Sequence, residues 1–272
     1  MTHDGPPPIP QILIVVGGGD ASGSGSRDLG SLVACTGPDT LVIAADSGLD
    51  VAVAAGLPVD HLVGDLDSVS PEARRSAEAR GVRVHPHAPD KDATDLELAI
   101  ELALELARDT AQVTADATAA ADAVTTLMVV GPGAGRLDHL LADVALLASP
   151  RLAGLEVRAR FGPADLVVVP AGTRRVLGAA VGEQVSLLPV HGPAARVTTK
   201  GLRWALLEAD LAPGTTRGVS NEVVAADAAV AVGEGTVVVV RPGRPAPPVP
   251  TRTTPYDPTP RAAAIEPQET QP

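Results

Sequence analysis

Apolar residues in this chain come in short runs, each closed by glycine or an acid. Gln11-Ile12-Leu13-Ile14-Val15-Val16 runs into Gly17-Gly18-Gly19-Asp20, and Leu41-Val42-Ile43-Ala44-Ala45 runs into Asp46-Ser47-Gly48. His61-Leu62-Val63 runs into Gly64-Asp65-Leu66-Asp67-Ser68. Short apolar runs without alternation predict strands buried on both faces, as in a parallel sheet. Helices are expected between them. One follows Gly48 to about Ala55, stopped by Gly56 and Pro58, and one runs from Pro71 to Arg80, closed by Gly81. Val82-Arg83-Val84 reads as a further strand. Leu98, Leu102 and Leu106 recur at helical spacing while Glu97, Glu101 and Glu105 line another face, which predicts a helix from Leu96 to about Ala107. Leu127-Met128-Val129-Val130 is the next strand, and a helix from Leu137 to about Ala148 follows its glycine-rich loop. Repeated strand, polar tip and helix predict an α/β domain over residues 10–150, a parallel sheet flanked by helices. Its ligands are expected at the carboxyl ends of the strands.

From about Arg158 the pattern changes. Leu166 to Val169, Arg175 to Leu177, Val185 to Leu188, Ala195 to Thr198 and Thr236 to Val240 are β-prone runs separated by Gly/Pro turns. No long helix is expected among them, so residues 151–243 read as a second, all-β domain, a small sandwich. Residues 1–9 read as a flexible tail and 244–272, rich in Pro, Thr and Ala, as a disordered one. The Ala/Thr/Asp-rich stretch 109–125 has no apolar stripe and reads as a surface insertion.

Composition narrows the possible partners. The chain is 45% hydrophobic with a formal net charge of −12, and no Lys/Arg-rich run interrupts it. General binding to nucleic acid or an anionic membrane is therefore not expected. No apolar run approaches the roughly 20 residues of a membrane span, and the N-terminal residues lack a signal pattern. With a single cysteine, Cys35, no internal disulfide forms, which suits a cytoplasmic setting, and Cys35 is expected to be a buried small hydrophobe.

Candidate chemistry concentrates in acids. Asp65 and Asp67 repel one another at a strand end with no basic neighbour in sequence, and Gly64 permits a turn that aims both at one point. Mg²⁺ suits such a pair, since it takes one or two carboxylates and completes its shell with water and phosphate oxygens. The competing reading makes the pair a cap for the helix near Ser70-Pro71-Glu72. Asp90-Lys91-Asp92-Ala93-Thr94-Asp95 opens the long helix, with Thr94 or Asp92 as its N-cap. Capping does not account for three acids and a lysine in six residues. Arg136, after a glycine-rich loop, either grips phosphate oxygens or pairs with Asp138. Trp204, the only tryptophan, either packs in the core or stacks a flat cationic ring beside Arg203. Arg217-Gly218-Val219-Ser220-Asn221-Glu222 offers small polar groups in a turn.

Taken together, six segments resemble the thiamine pyrophosphokinase family. They are Asp46-Ser47-Gly48, Gly64-Asp65-Leu66-Asp67-Ser68, Asp90-Lys91-Asp92-Ala93-Thr94-Asp95, Gly135-Arg136-Leu137-Asp138-His139, Thr199-Lys200-Gly201-Leu202-Arg203-Trp204 and Gly218-Val219-Ser220-Asn221. The sequence departs from the family's pattern at Leu66, Pro132, Ala134 and Ala205, none of them a charged position. The resemblance implies transfer of a diphosphate from ATP to the hydroxyethyl group of thiamine, with AMP released. It implies a homodimer whose active site lies between the α/β domain of one subunit and the β domain of the other. By the same resemblance, Asp46, Asp65, Asp67 and Asp92 hold Mg²⁺, and Asp65, Asp67, Asp92, Asp95 and Asp138 are catalytic. Asp95 is the first candidate for orienting or deprotonating the hydroxyl, and Asp138 the second. Asp46, Ser68, Lys91, Thr94, Arg136 and His139 contact ATP or its metal, while Trp204, Ser220 and Asn221 contact thiamine. Two other readings stay open on the residues themselves. One is a transferase acting on another small heterocyclic alcohol; the other is a nucleotide-binding regulatory module without turnover.

Overall fold

The computed structural model describes residues 11–17, 36–115, 125–133 and 135–243. The tails, most of the glycine-rich turn after Val16, Cys35 and the centre of the 109–125 stretch lie outside these residues.

The first half is built from β1 (Gln11–Val16), β2 (Leu41–Ala45), α1 (Gly48–Ala54), β3 (His61–Gly64), α2 (Pro71–Arg80) and β4 (Arg83–Pro86). There follow α3 (Asp95–Ala115), β5 (Thr126–Gly131) and α4 (Leu137–Leu147). The strands pair in parallel in the order β4-β3-β2-β1-β5. Every second residue of β1 faces the same side. Ile12 and Ile14 pack with Leu96, Ile100, Ala103 and Leu147 from α3 and α4, while Leu13 and Val15 pack with Ala52 of α1. Leu62 and Ala44 pack with Ala73 and Ala77 of α2. Both faces of the sheet are thus covered by helices, which is why the strands read as unbroken apolar runs.

The helix expected to stop near Ala107 continues to Ala115, into the stretch read as a surface insertion. The lack of an apolar stripe there does not prevent helix, because alanine has the highest intrinsic helix propensity. A strand the apolar-run reading passed over is β6 (Glu156–Phe161), which pairs in parallel with β5. Its alternating pattern buries Val157, Ala159 and Phe161 and turns Glu156, Arg158 and Arg160 outward, so it carries no apolar run. Parallel pairing therefore continues beyond residue 151.

β7 (Ala164–Pro170) turns back antiparallel on β6, and β13 (Glu234–Arg241) pairs with β7. The remaining strands are β8 (Thr173–Val176), β9 (Gln184–Lys200), β10 (Ala209–Leu211), β11 (Asn221–Glu222) and β12 (Ala229–Val232), all antiparallel. Two β-prone runs, Val185 to Leu188 and Ala195 to Thr198, belong to the single 17-residue strand β9. It bends at His191 and Gly192, whose φ values are 64° and 139°, and passes from β13 to β12. β7 and β13 form a shared wall. Leu166, Val168 and Val238 face the core that also holds α3, while Val167, Val169, Val237 and Val239 face a second core with Leu187, Val197 and Val223. No described helix is long and apolar enough to cross a membrane.

Candidate active site

Strand order reverses between β1 and β5, so the crevice of an open α/β sheet falls at their carboxyl ends. Two glycines let the next segment close on the end of β1. A Cβ on Gly17 would lie 2.1 Å from Ser47 Oγ, and one on Gly48 would lie 2.0 Å from the Val15 carbonyl oxygen. Asp46, between β2 and α1, is held at φ 45° while its N–H donates to the Val63 carbonyl at 2.8 Å. At the end of β3, Gly64 takes φ 140° and Leu66 takes φ 66°. A side chain on Gly64 would meet Asp95 Oδ1 at 3.0 Å and Asp46 Cβ at 3.1 Å. These backbone turns bring carboxylate oxygens of Asp46, Asp65 and Asp67 within 4.8 Å of one another. Capping does not explain the pair, because Ser70 caps α2, its hydroxyl accepting from the Ala73 N–H at 3.1 Å.

Asp46 is buried, and its Oδ1 has no hydrogen-bond partner. Burial raises its carboxyl pKa, and the nearby charges of Asp95 and Asp65 push the same way. Asp65 goes the other way. It accepts from the Asp67 N–H at 3.2 Å and from Lys91 Nζ at 3.1 Å, and both hold its pKa below the ordinary carboxylate range. Lys91 also donates to Asp95 Oδ1 at 2.7 Å. Burial would lower the Lys91 pKa, but the two carboxylates outweigh it and the net shift is upward. The Ser68 hydroxyl donates to Asp67 Oδ1 at 2.9 Å and lies in reach of Asp46 as well. Thr94 is the N-cap of α3, its Oγ1 accepting from the Glu97 N–H at 3.2 Å. Asp92 is exposed in the turn before α3 and is not part of the close cluster.

Beside the acids lies a cleft of about 440 Å³, within the range of ligand pockets. Asp46, Thr94 and Asp95 line one side, and Arg136, His139 and Asp143 line the other, with Phe161 among the apolar residues of its wall. Arg136 grips Asp138 with two hydrogen bonds, of 2.6 and 3.2 Å. The pair is exposed, and the guanidinium holds the Asp138 pKa down at about 2. Such a carboxyl is a weak base. Asp143 escaped the sequence reading. It sits one helical turn beyond His139, burial raises its pKa, and only the His139 charge opposes that shift. The i, i+4 spacing from His139 on α4 was the available signal.

Trp204 is not core, being 59% exposed. The Arg203 guanidinium lies 5.9 Å from its ring centroid. Ser220 is exposed at φ 57°, with its N–H donating to Ser186 Oγ. Asn221, expected at the ligand, is only 2% exposed and is bonded to the main chain of Trp204. None of these three residues lines the acidic cleft of their own chain.

Comparison with known proteins converges on one group. Residues 36–159 match the family described as Thiamin pyrophosphokinase, catalytic domain, and residues 176–237 match Thiamin pyrophosphokinase, vitamin B1 binding domain. The Thiamine pyrophosphokinase of Bacillus subtilis is 24% identical over 210 residues, covering 77% of this chain and 91% of the relative. Thiamine pyrophosphokinase 1 of rice (Oryza sativa subsp. japonica) is 23% identical over 167 residues, covering 60% of this chain and 59% of the relative. The crystal structure of the Bacillus subtilis protein superimposes with a TM-score of 0.67 at 23% identity, covering 86% of this chain and 99% of that one. That of Thiamin pyrophosphokinase from Geobacillus thermodenitrificans superimposes at 0.64 and 26% identity, covering 85% and 96%.

Proposed function

Because the chain belongs to the thiamin pyrophosphokinase family, we propose that its acidic cleft performs the diphosphate transfer that the family's name describes. The chain is an ATP-dependent transferase that makes thiamine diphosphate from thiamine, leaving AMP. The observation that carries this reading is the meeting of Asp46, Asp65 and Asp67 at the carboxyl ends of β2 and β3, beside a cleft of nucleotide size at the sheet's switch point.

The donor set fits a hard divalent cation. Three carboxylates converge, and a buried Asp46 oxygen is left without a donor, an arrangement that needs positive charge. Asp46, Asp65 and Asp67 would hold Mg²⁺, with exposed Asp92 reaching it through water. Bound there, the ion would draw charge from the diphosphate oxygens.

The residues of the chain do the rest. Lys91, already between Asp65 and Asp95, presents its ammonium to the transferred diphosphate. Arg136 exchanges its exposed partner Asp138 for a phosphate, since a surface ion pair resists this weakly. Thr94 and His139 line the cleft that takes the nucleotide, and Ser68 orients Asp67. The thiamine hydroxyl oxygen attacks the β-phosphorus as the α–β bridging bond breaks, AMP keeps the bridging oxygen, and Asp95 takes the hydroxyl proton. The low pKa of Asp138 leaves it to Arg136 and disfavours it as the base. Positioning and charge stabilisation supply most of the rate in such transfers.

We read the antiparallel half as a β-sandwich that presents Trp204 to the thiamine rings, with Ser220 beside it. Its place outside its own chain's cleft suits a homodimer in which each β half completes the partner's site. The direct test incubates protein with thiamine, ATP and Mg²⁺, with and without chelator, and follows thiamine diphosphate and AMP. Asp67→Asn should lower kcat by about 100-fold or more while leaving the fold intact. Release of ADP, or turnover indifferent to chelator and to Asp67→Asn, would reject the reading.

A further inference from the structure

We propose that Asn221 is a positioning residue that acts through Trp204, clamping the main chain beneath the indole so that the ring stands ready for the flat substrate. The proposal rests on the reading that Trp204 receives thiamine.

Asn221 is 2% exposed and sits in β11, opposite Val185 of β9. Its Oδ1 accepts from the Trp204 N–H at 3.1 Å, and its Nδ2 donates to the Trp204 carbonyl at 2.8 Å. One carboxamide therefore holds both main-chain polar groups of a single residue, as a neighbouring strand would. The same Oδ1 also accepts from the Glu222 N–H at 2.9 Å, so both of its lone pairs are in use. Around this clamp the segment is tied to β11 and to the residue that follows it. Arg203 N–H donates to the Glu222 carbonyl at 2.8 Å, and Leu202 bridges to Val223. The main chain of Trp204 is fixed while its side chain stays 59% exposed.

An exposed indole on a loose loop would have to be ordered when a ligand stacks on it, at a cost in affinity. The clamp meets that cost at folding. Only asparagine among residues of this size offers an acceptor and a donor side by side at its tip. Aspartate keeps the bonds from the two N–H groups and repels the Trp204 carbonyl. Alanine loses all three.

The test uses the full chain and its one tryptophan as reporter. In Asn221→Ala the KM for thiamine should rise about tenfold, while kcat and the KM for ATP stay within about twofold. Asn221→Asp should move the same way, less far. Indole emission anisotropy should fall in both variants. In a Trp204→Ala background, adding Asn221→Ala should change the thiamine KM by less than about twofold, because the clamp then has nothing to hold. An unchanged KM or anisotropy overturns the proposal. Losses that multiply in the double variant also overturn it, since they mean that Asn221 touches thiamine itself. Failure of both single variants to fold overturns it too, since Asn221 then supports the fold as a whole. If Trp204→Ala leaves the thiamine KM unchanged and thiamine does not quench wild-type emission, the reading of Trp204 falls instead. The anisotropy comparison still decides the clamp.

Discussion

Asp46 carries the conflict at the centre of the cleft. Its backbone sits in the left-handed region, its side chain is buried, and one of its oxygens has no donor. The raised pKa means that the folded chain favours the protonated form more than the unfolded chain does. The sign follows: the ionised carboxylate weakens the fold above its folded pKa, and this effect vanishes below the unfolded pKa. Asp46→Asn keeps the shape, tolerates the positive φ and removes the charge. With chelator at neutral pH, the Tm of this variant should rise by roughly 2–4 °C, on the scale of about 1 kcal/mol for a chain of this size. The gain should shrink as pH is lowered toward the acid range, and Mg²⁺ should no longer raise the Tm. A thermal melt series with and without Mg²⁺ checks this, and a Tm below wild type in chelator would contradict it.

At the scale of elements, the site depends on how closely the turn from β2 to α1 sits against the end of β1. Gly48 is there because any side chain would press on the Val15 carbonyl at 2.0 Å, which is main chain and cannot swing aside. Gly48→Ala should cost about 2–4 kcal/mol, read as a lower denaturant midpoint with unchanged slope. Gly154→Ala is the control. Nothing lies within 4 Å of a Cβ at that position, so its effect should stay within about 0.5 kcal/mol. Equal midpoints for the two variants would mean that the β1 contact yields easily. The elements flanking this turn were legible as apolar runs, because helices on both faces leave a parallel strand no polar side. β6 was not, because its outward positions carry Glu156, Arg158 and Arg160, and an alternating strand needs its partner to show which face is buried. The end of α3 was misplaced for a related reason: amphipathicity marks where a helix packs, not where it stops.

For the whole molecule, the question is how two separated groups of residues serve one reaction. A chain with net charge −12 binds a polyanion only through local cations; the cleft supplies Arg136, and Lys91 stands beside it between Asp65 and Asp95. The surface that carries Trp204 lies elsewhere on the same chain. If a second copy completes the cleft, Asp67→Asn chains, and Trp204→Ala chains at thiamine well below their raised KM, are each nearly inactive alone, and mixed dimers hold one intact site. After subunit exchange, an equimolar mixture should recover up to about a quarter of wild-type turnover, since half the dimers are mixed and one site in two is whole. Sedimentation of the mixture confirms the dimer. A mixture no more active than the sum of its parts would place each site within a single chain.

The sequence alone determined the parallel sheet, the strand-end acids and the family, because buried strands, turn glycines and charged motifs are local features of the chain. Only the tertiary structure decided which acids meet. It placed Asp46, at the end of β2, with Asp65 and Asp67, at the end of β3, left Asp92 outside, and gave Asp138 to Arg136. It also buried Asn221, expected at thiamine, and bonded its side chain to the main chain of Trp204. Burial and proximity depend on what the rest of the chain brings alongside, and no stretch of residues carries that information by itself.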